Sequence, residues 1–416
     1  MFYKKSIQTR SAAVLALAVL AGGGLAGCAS GPSQATSAAS SEFTFWDPYP
    51  QYDATSAWAG SIDKCGSEAG ATIKRTAYDT SDLTSKALLA GQQGSSPDVL
   101  LVDNPVVSTL AEAGVLTSAK DSGLDASHTQ ANLLAAGEID GDAFGVPIGA
   151  NTLALYYNPK VLEAAGVDAT SVTDWASLNA ALEKVKASGK KGITFSAVGT
   201  EEGSFQFLPW FWGSGAQLDD LSSSDAVSAL ALWTDWIKQG HAPNSVINNT
   251  QTTSWQEFMA GDFAFAENGT WQKADAAKAG YKVMPIPAKS GGAAAAPTGG
   301  EFLTIPVQKE TARYETSKKI IACLTNASNV VATDNTLNYI APTEEAQKAQ
   351  LAADATLKPW IDAVAAAKGR TSDNLGTKYP KISEQLWTAV QASVTGSASP
   401  QDAAKTAQTA AAAATK

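Results

Sequence analysis

Basic residues, histidine and cysteine are all in short supply in this chain of 416 residues. Thirty Lys and Arg stand against forty Asp and Glu, for a formal net charge of -10. Without a basic surplus there is no broad surface for a phosphate backbone, and charge gives no hold on anionic lipid. Two histidines, His128 and His241, and three cysteines, Cys28, Cys65 and Cys323, are too few and too scattered for zinc-ligand spacing, which excludes a zinc hydrolase. No metal site and no cofactor is expected. A GxSxG nucleophile motif is also missing, and no catalytic residue is assigned. The one apolar run approaching membrane length, Ala12 to Leu20, sits at the N-terminus behind Lys4, Lys5 and Arg10.

That first segment has the order of a targeting signal: a basic stretch, a short apolar run, then Leu25, Ala26, Gly27 and Cys28. It resembles the lipobox of bacterial lipoproteins, which implies lipidation of the Cys28 thiol and removal of residues 1–27 as signal peptide. An ordinary cleaved signal with an incidental cysteine is the alternative. Residues 28–41, small and polar after the cysteine, read as a flexible tether. Export takes Cys65 and Cys323 through an oxidising compartment and leaves a disulfide between them open.

The length predicts more than one domain. Short strands alternate with helices: EFTFWD (42–47), a helix to about Glu68, ATIKRTAY (71–78), a helix carrying Leu83, Ala87 and Leu88, then SPDVLLVD (96–103). This βαβαβ order predicts an α/β fold with a parallel sheet. Ligands in such sheets bind at the carboxyl ends of strands, which gathers Trp46, Asp47, Asp79, Asp103 and Asn104 around one crevice. EIDGDAFGVPI (138–148) reads as a hairpin with an Asp-Gly turn. TLALYYNP (152–159) opens a second cycle, with helices near 174–187, 223–239 and 270–278 and strands near 192–196, 262–266 and 281–286. The Gly/Pro-rich stretch 285–300 is a loop, and everything beyond Thr311 reads as helical. Adjacent Tyr156 and Tyr157 point to opposite faces of their strand, which argues against a ferric site.

Several stretches occur in an order that resembles a known family: SPDVLLVDNPVVSTLAEAGVLT (96–117), DGDAFGVPIGANTLALYYNPKVLEAAGV (140–167), TDWASLNAALEKV (173–185), FLPWFWGSGAQL (207–218), FMAGDFAFAENGTW (258–271) and the segment from Gly299 to Ala327. They are similar to the extracellular solute-binding proteins (family 1) of sugar-importing ABC transporters, in the layout of maltose-binding proteins. The resemblance implies a two-lobe, periplasmic-binding-protein-like fold (type II), each lobe a β-sheet flanked by helices, with a hinge and a ligand cleft between them. Residues 42–150 and 297–341 would form the N-terminal lobe, and 151–296 and 342–416 the C-terminal lobe. It further implies a monomer, ABC permease subunits as partners, no enzymatic activity, and a place for Cys65 and Cys323 in helices of one lobe.

Sugar hydroxyls need paired donors and acceptors, and sugar C–H faces pack on flat rings. Asp47, Asp79, Asp103, Asn104, Asn151 and Asn268 are candidate hydroxyl partners, and Glu301, after the Gly299-Gly300 turn, and Arg370, in a polar loop, join them. Trp271 follows the AENG turn at a helix start and by resemblance matches a sugar-stacking aromatic. Phe205 and Trp212, seven apart on one helical face, are cleft candidates, Trp46 is either pocket wall or packing, and Trp387 is placed in the cleft by resemblance alone. Trp210, Trp233 and Trp236 read as core. The sequence thus points to a lipid-anchored receptor, on the outer face of the cell membrane, for a di- or oligosaccharide. A polyamine or other small polar solute is the alternative ligand, and a glycan hydrolase the remote one.

The lipobox makes the anchor testable. Expressed in a bacterial host, the protein should partition into detergent, and Cys28→Ala should release it, since stable attachment needs two acyl chains. Membrane association that survives the substitution contradicts the anchor.

Overall fold

A computed structural model describes residues 42–416, apart from Asn374 and the side chains of Thr80 and Ser81; the signal segment, Cys28 and the tether lie outside the described residues. The strands in chain order are β1 (Glu42–Asp47), β2 (Thr72–Ala77), β3 (Val99–Asp103), β4 (Glu138–Ile139), β5 (Asp142–Ala143), β6 (Val146–Pro147), β7 (Leu153–Tyr157), β8 (Lys191–Thr194), β9 (Phe263–Gly269), β10 (Lys282–Met284) and β11 (Glu301–Thr304). They build a five-stranded sheet in the order β2-β1-β3-β11-β6 and a four-stranded sheet in the order β10-β7-β9-β8. The small hairpin β4-β5 turns through Asp140 and Gly141, both at positive φ, as a two-residue hairpin turn requires.

In the first sheet β1 lies parallel to β2 and β3, as the βαβαβ order predicts. The sheet is nevertheless mixed, because β11 pairs antiparallel with both β3 and β6. β11 returns from the other half of the molecule and enters from the opposite end, a direction the local pattern around β3 does not encode. Both faces of this sheet are covered: Phe45, Trp58, Ile62, Leu101, Ile320 and Leu324 pack on one side, and Leu83, Leu100, Val107, Leu110 and Phe302 on the other. That explains why Val99 to Val102 read as a continuous apolar run rather than an alternation.

The second sheet is sandwiched in the same way. Leu155, Phe195, Phe207, Trp210, Trp233 and Trp236 fill one side, with Phe195 and Trp233 ring centroids 4.1 Å apart. Tyr156 points to the other side, against Trp255 and Trp360, whereas Tyr157 packs on the first cluster. The C-terminal third is less uniformly helical than the sequence predicts. Its helices break around Asn338, which takes a left-handed conformation, and again between the helices Lys358–Ala365 and Tyr379–Val394, where the loop carries Arg370.

Three segments pass between the sheets, and they are tied to one another. Ala150 bridges Ile340 and Asn151 bridges Gly299, both antiparallel, while Pro297 bridges Lys368. The approach is too close for side chains: a Cβ on Gly300, which sits at φ +111°, would lie 2.4 Å from the Gly149 carbonyl oxygen, and one on Gly149 would lie 2.2 Å from Asp334 Oδ1.

Cys65, on the helix Ala57–Glu68, forms a disulfide with Cys323, on the helix Arg313–Thr325, across 258 residues of sequence. It joins the first stretch of the five-stranded unit to its last. In unreduced, unfolded protein carrying Cys28→Ala, thiol titration should find no free thiol, and reduction should lower the unfolding free energy by roughly 2–5 kcal/mol. Two titratable thiols would refute the bridge.

Candidate ligand-binding cleft

The residues at the carboxyl end of the first sheet are organised by the crossing segments. Asp103 ends β3 and caps the following helix, its Oδ1 accepting from Asn104 N at 2.9 Å. Asn104 is held from two directions, donating from N to Gly300 O at 3.2 Å and from Nδ2 to Thr298 O at 2.9 Å. Glu301 opens β11 directly opposite Asp103 in the antiparallel register. From the other side comes the helix Glu201–Gly213, whose first residue offers its carboxylate to Tyr379 Oη at 2.6 Å and to Ser383 Oγ.

Arg370 lies between these groups and is only 2% exposed. Its Nη2 donates to Asp103 Oδ1 at 2.8 Å and Asn104 Oδ1 at 3.1 Å, and its Nη1 to Glu201 Oε1 at 2.7 Å. The guanidinium carbon sits 4.8 Å from the Phe205 ring centroid. Phe205 faces Trp271 at 6.4 Å with an interplanar angle of 38°, and Trp271 in turn folds over Gly269, where a Cβ would meet Cζ3 at 2.1 Å. Asn151 completes the group, its Oδ1 buried without a partner against Gly299. Arg370 Nε is likewise buried and unpartnered.

The electrostatics follow from burial. Desolvation, reinforced by the Asp103 carboxylate across the strand pair, pushes Glu301 up to about 7, against the opposing hydrogen bonds of Tyr339 and Tyr49 and the charge of Arg370. Burial alone would lower the Arg370 pKa, but Asp103 and Glu201 outweigh it and keep the guanidinium fully charged. Two further carboxyls are raised well above their ordinary range by burial: Glu267 on β9, bonded to Trp210 Nε1 at 2.7 Å, and Asp334, whose two oxygens have no hydrogen-bond partner. Among the described residues no group of three or more His, Cys, Asp or Glu is arranged to hold a metal ion.

Of the residues singled out by sequence, Asp103, Asn104, Asn151, Phe205, Trp271, Glu301 and Arg370 come together here. Others do not. Asp47 is fully buried and committed: Arg75 grips it through Nε at 2.5 Å and Nη2 at 2.8 Å, and Tyr49 N donates to its Oδ1. It is a structural ion pair rather than a hydroxyl partner. Asn268 is also fully buried, with Nδ2 on Gln251 O and Oδ1 on Gly269 N, so it shapes the turn before Trp271 instead of facing solute. Trp46 packs edge-on against Tyr78 at 5.3 Å, and Asp79 is exposed at a helix start without a side-chain cap. Trp212 belongs to the buried cluster on the second sheet, with Lys368 Nζ 5.2 Å from its ring, and Trp387 lies half-buried on the helix Tyr379–Val394. Sequence reasoning missed Glu201, Tyr379, Ser383 and Tyr339. The one local signal was the pair Glu201-Glu202 opening a helix, where acidic residues are common for dipole reasons alone.

This geometry can be set beside known proteins. The family described as bacterial extracellular solute-binding protein matches residues 60–359. The chain belongs to that family. Its members are binding proteins, extracellular by description, and among the described residues no helix is long and apolar enough to cross a membrane. The maltodextrin-binding protein MdxE of Bacillus subtilis (strain 168) is 26% identical over 276 residues, 62% of this chain and 64% of that one, so the match spans less than two thirds of the relative. The GacH receptor of Streptomyces glaucescens GLA.O, solved unliganded and with acarbose, superposes with a TM-score of 0.77 at 22% identity, covering 91% of this chain and 99% of that one. An ABC transporter solute-binding protein of Thermotoga lettingae TMO bound with α-D-tagatose gives 0.76 at 23% identity, with coverage of 90% and 100%. These likenesses establish the two-lobed type II periplasmic-binding fold for this solute-binding protein.

The raised Glu301 carboxyl has a consequence for stability. Between about pH 4.5 and pH 7 the folded protein holds a proton that the unfolded chain releases, so stability falls as pH rises through that window, by roughly 3 kcal/mol in all. Glu301→Gln keeps an acceptor for Tyr339 and cannot ionise. Urea unfolding from pH 4 to pH 8 should show the variant gaining on the wild type across the window; a difference independent of pH contradicts the assignment.

Proposed function

We propose that this solute-binding protein is the receptor of an ABC importer that captures a carbohydrate, a di- or oligosaccharide, in the cleft between its lobes and delivers it to the permease. The observation that carries this is the pairing of an aromatic wall, Phe205 and Trp271, with hydrogen-bonding groups at the crossing of the lobes: Asp103, Asn104, Asn151, Glu301 and Arg370. Flat rings suit the C–H faces of a sugar, and oriented donors and acceptors suit its hydroxyls. The names of MdxE, maltodextrin-binding, and of the acarbose and tagatose complexes support the same ligand class. In this reading residues 42–150 with 297–341 and residues 151–296 with 342–416 are the lobes. The protein works as a monomer without changing its ligand, and it is tethered to the outer face of the cell membrane through a lipidated Cys28.

A thermal-shift screen of neutral saccharides and polyamines tests the ligand class, because a ligand that binds only the native state raises its melting temperature. Saccharides should shift the midpoint and polyamines should not. For the sugar so identified, calorimetric titration of Trp271→Ala should show a loss of about 2 kcal/mol, roughly thirtyfold in affinity. Native affinity together with a large drop in melting temperature would instead make Trp271 a packing residue.

A further inference from the structure

We infer that Arg370 is a strut between the lobes, a positioning residue that sets the angle at which they rest, with solute or without. The reasoning starts from where its two arms go. Nη2 reaches Asp103 and Asn104, at the end of β3 in the five-stranded lobe, and Nη1 reaches Glu201, at the start of a helix packed on the four-stranded lobe. A planar guanidinium suits this task, since its fork can serve two carboxylates at once, which the point charge of a lysine does poorly.

Each anchor is itself fixed. Glu201 is held by Tyr379 and Ser383, Asp103 by the helix start it caps, and Asn104 by the carbonyls of Thr298 and Gly300 in a crossing segment. The loop that carries Arg370 is fastened on both sides as well: Thr371 Oγ1 donates to Ala136 O at 3.1 Å in the first lobe, and Lys368 bridges Pro297 at the crossing. Close to a pivot, a small displacement becomes a large one at the lobe rims. Burial keeps the ion pairs from being screened, so mobile salt replaces the strut poorly.

Removing the guanidinium does more than delete bonds. It leaves Asp103 and Glu201 facing each other across the cleft with no cation between them, and like charges in a partly buried site repel. The lobes then rest further apart. Because solute affinity scales with the fraction of molecules in the binding-competent arrangement, a tenfold fall in that fraction weakens apparent affinity about tenfold without any change in a solute contact.

This goes beyond the capture of a sugar and needs no ligand to test. In the full chain carrying Cys28→Ser, exposed Gln92 in the first lobe and Lys184 in the second are replaced by spin-labelled cysteine, Cys65 and Cys323 being bonded to each other. Double electron–electron resonance then reads the interlobe distance in the absence of solute. Arg370→Met should move the distribution to longer distances, and adding Asp103→Asn and Glu201→Gln to it should bring the distribution back towards the wild type by removing the repulsion. Glu201→Gln alone, which severs one arm, should broaden the wild-type distribution even if Arg370→Met fails to fold. Distributions unchanged in Arg370→Met, or in Glu201→Gln where Arg370→Met does not fold, overturn the strut. Neither result depends on which solute binds, so the carbohydrate reading stands or falls separately.

Discussion

The fold depends on one constraint: three chain segments must pass between two sheets at a single narrow place, and their backbones must satisfy one another there. Gly149, Gly299 and Gly300 make that approach sterically feasible, and the bridges at Ala150, Asn151 and Gly299 pair the backbone groups that burial would otherwise strand. A hinge built in this way concentrates bending at a few residues. It also puts the ends of β3 and β11 at the seam, so the residues that cap those strands become the floor of the cleft.

Charge at the seam is handled unevenly. Arg370 is matched by Asp103 and Glu201, whereas Glu301, a cross-strand neighbour of Asp103, is left to give up its charge as the pH falls below about 7. Asp334, beside Gly149, has no counter-charge in hydrogen-bond contact, and burial drives it towards the neutral acid. The result is a seam that approaches neutrality although the whole chain carries a formal charge of -10. Such a floor suits an uncharged polar solute, which brings hydroxyls to be paired and no charge to be desolvated.

Much of the architecture was legible in the sequence because its signals are local. The alternation in EFTFWD, the apolar run VLLV and the Asp-Gly turn each report directly on the backbone they occupy. What failed was the step from a strand end to a side-chain direction. Asp47 and Asp103 both close a strand of the first sheet, yet one is claimed by Arg75, 28 residues later, and the other by Arg370, 267 residues later. Nothing within a few residues of either carboxylate distinguishes those fates. Asn268 failed for a related reason, since an asparagine before a glycine can satisfy its own turn and have nothing left for a ligand. Trp271 was found because a turn and an aromatic ring beside it form a local signal, while Glu201 was missed because its partners Tyr379 and Ser383 lie far along the chain.

The long disulfide between Cys65 and Cys323 fixes an order of events as the chain emerges. β3 presents an open edge until β11 arrives some two hundred residues later, and by then the entire second sheet has been made. The second sheet therefore has its strands in hand before the first is complete, and the high contact order of the first makes it the slower partner. A half-built sheet with a free hydrogen-bonding edge is a template for wrong pairing. The bridge, which forms only once the last helices of that lobe dock, acts as a lock on the finished product and not as a guide to its assembly.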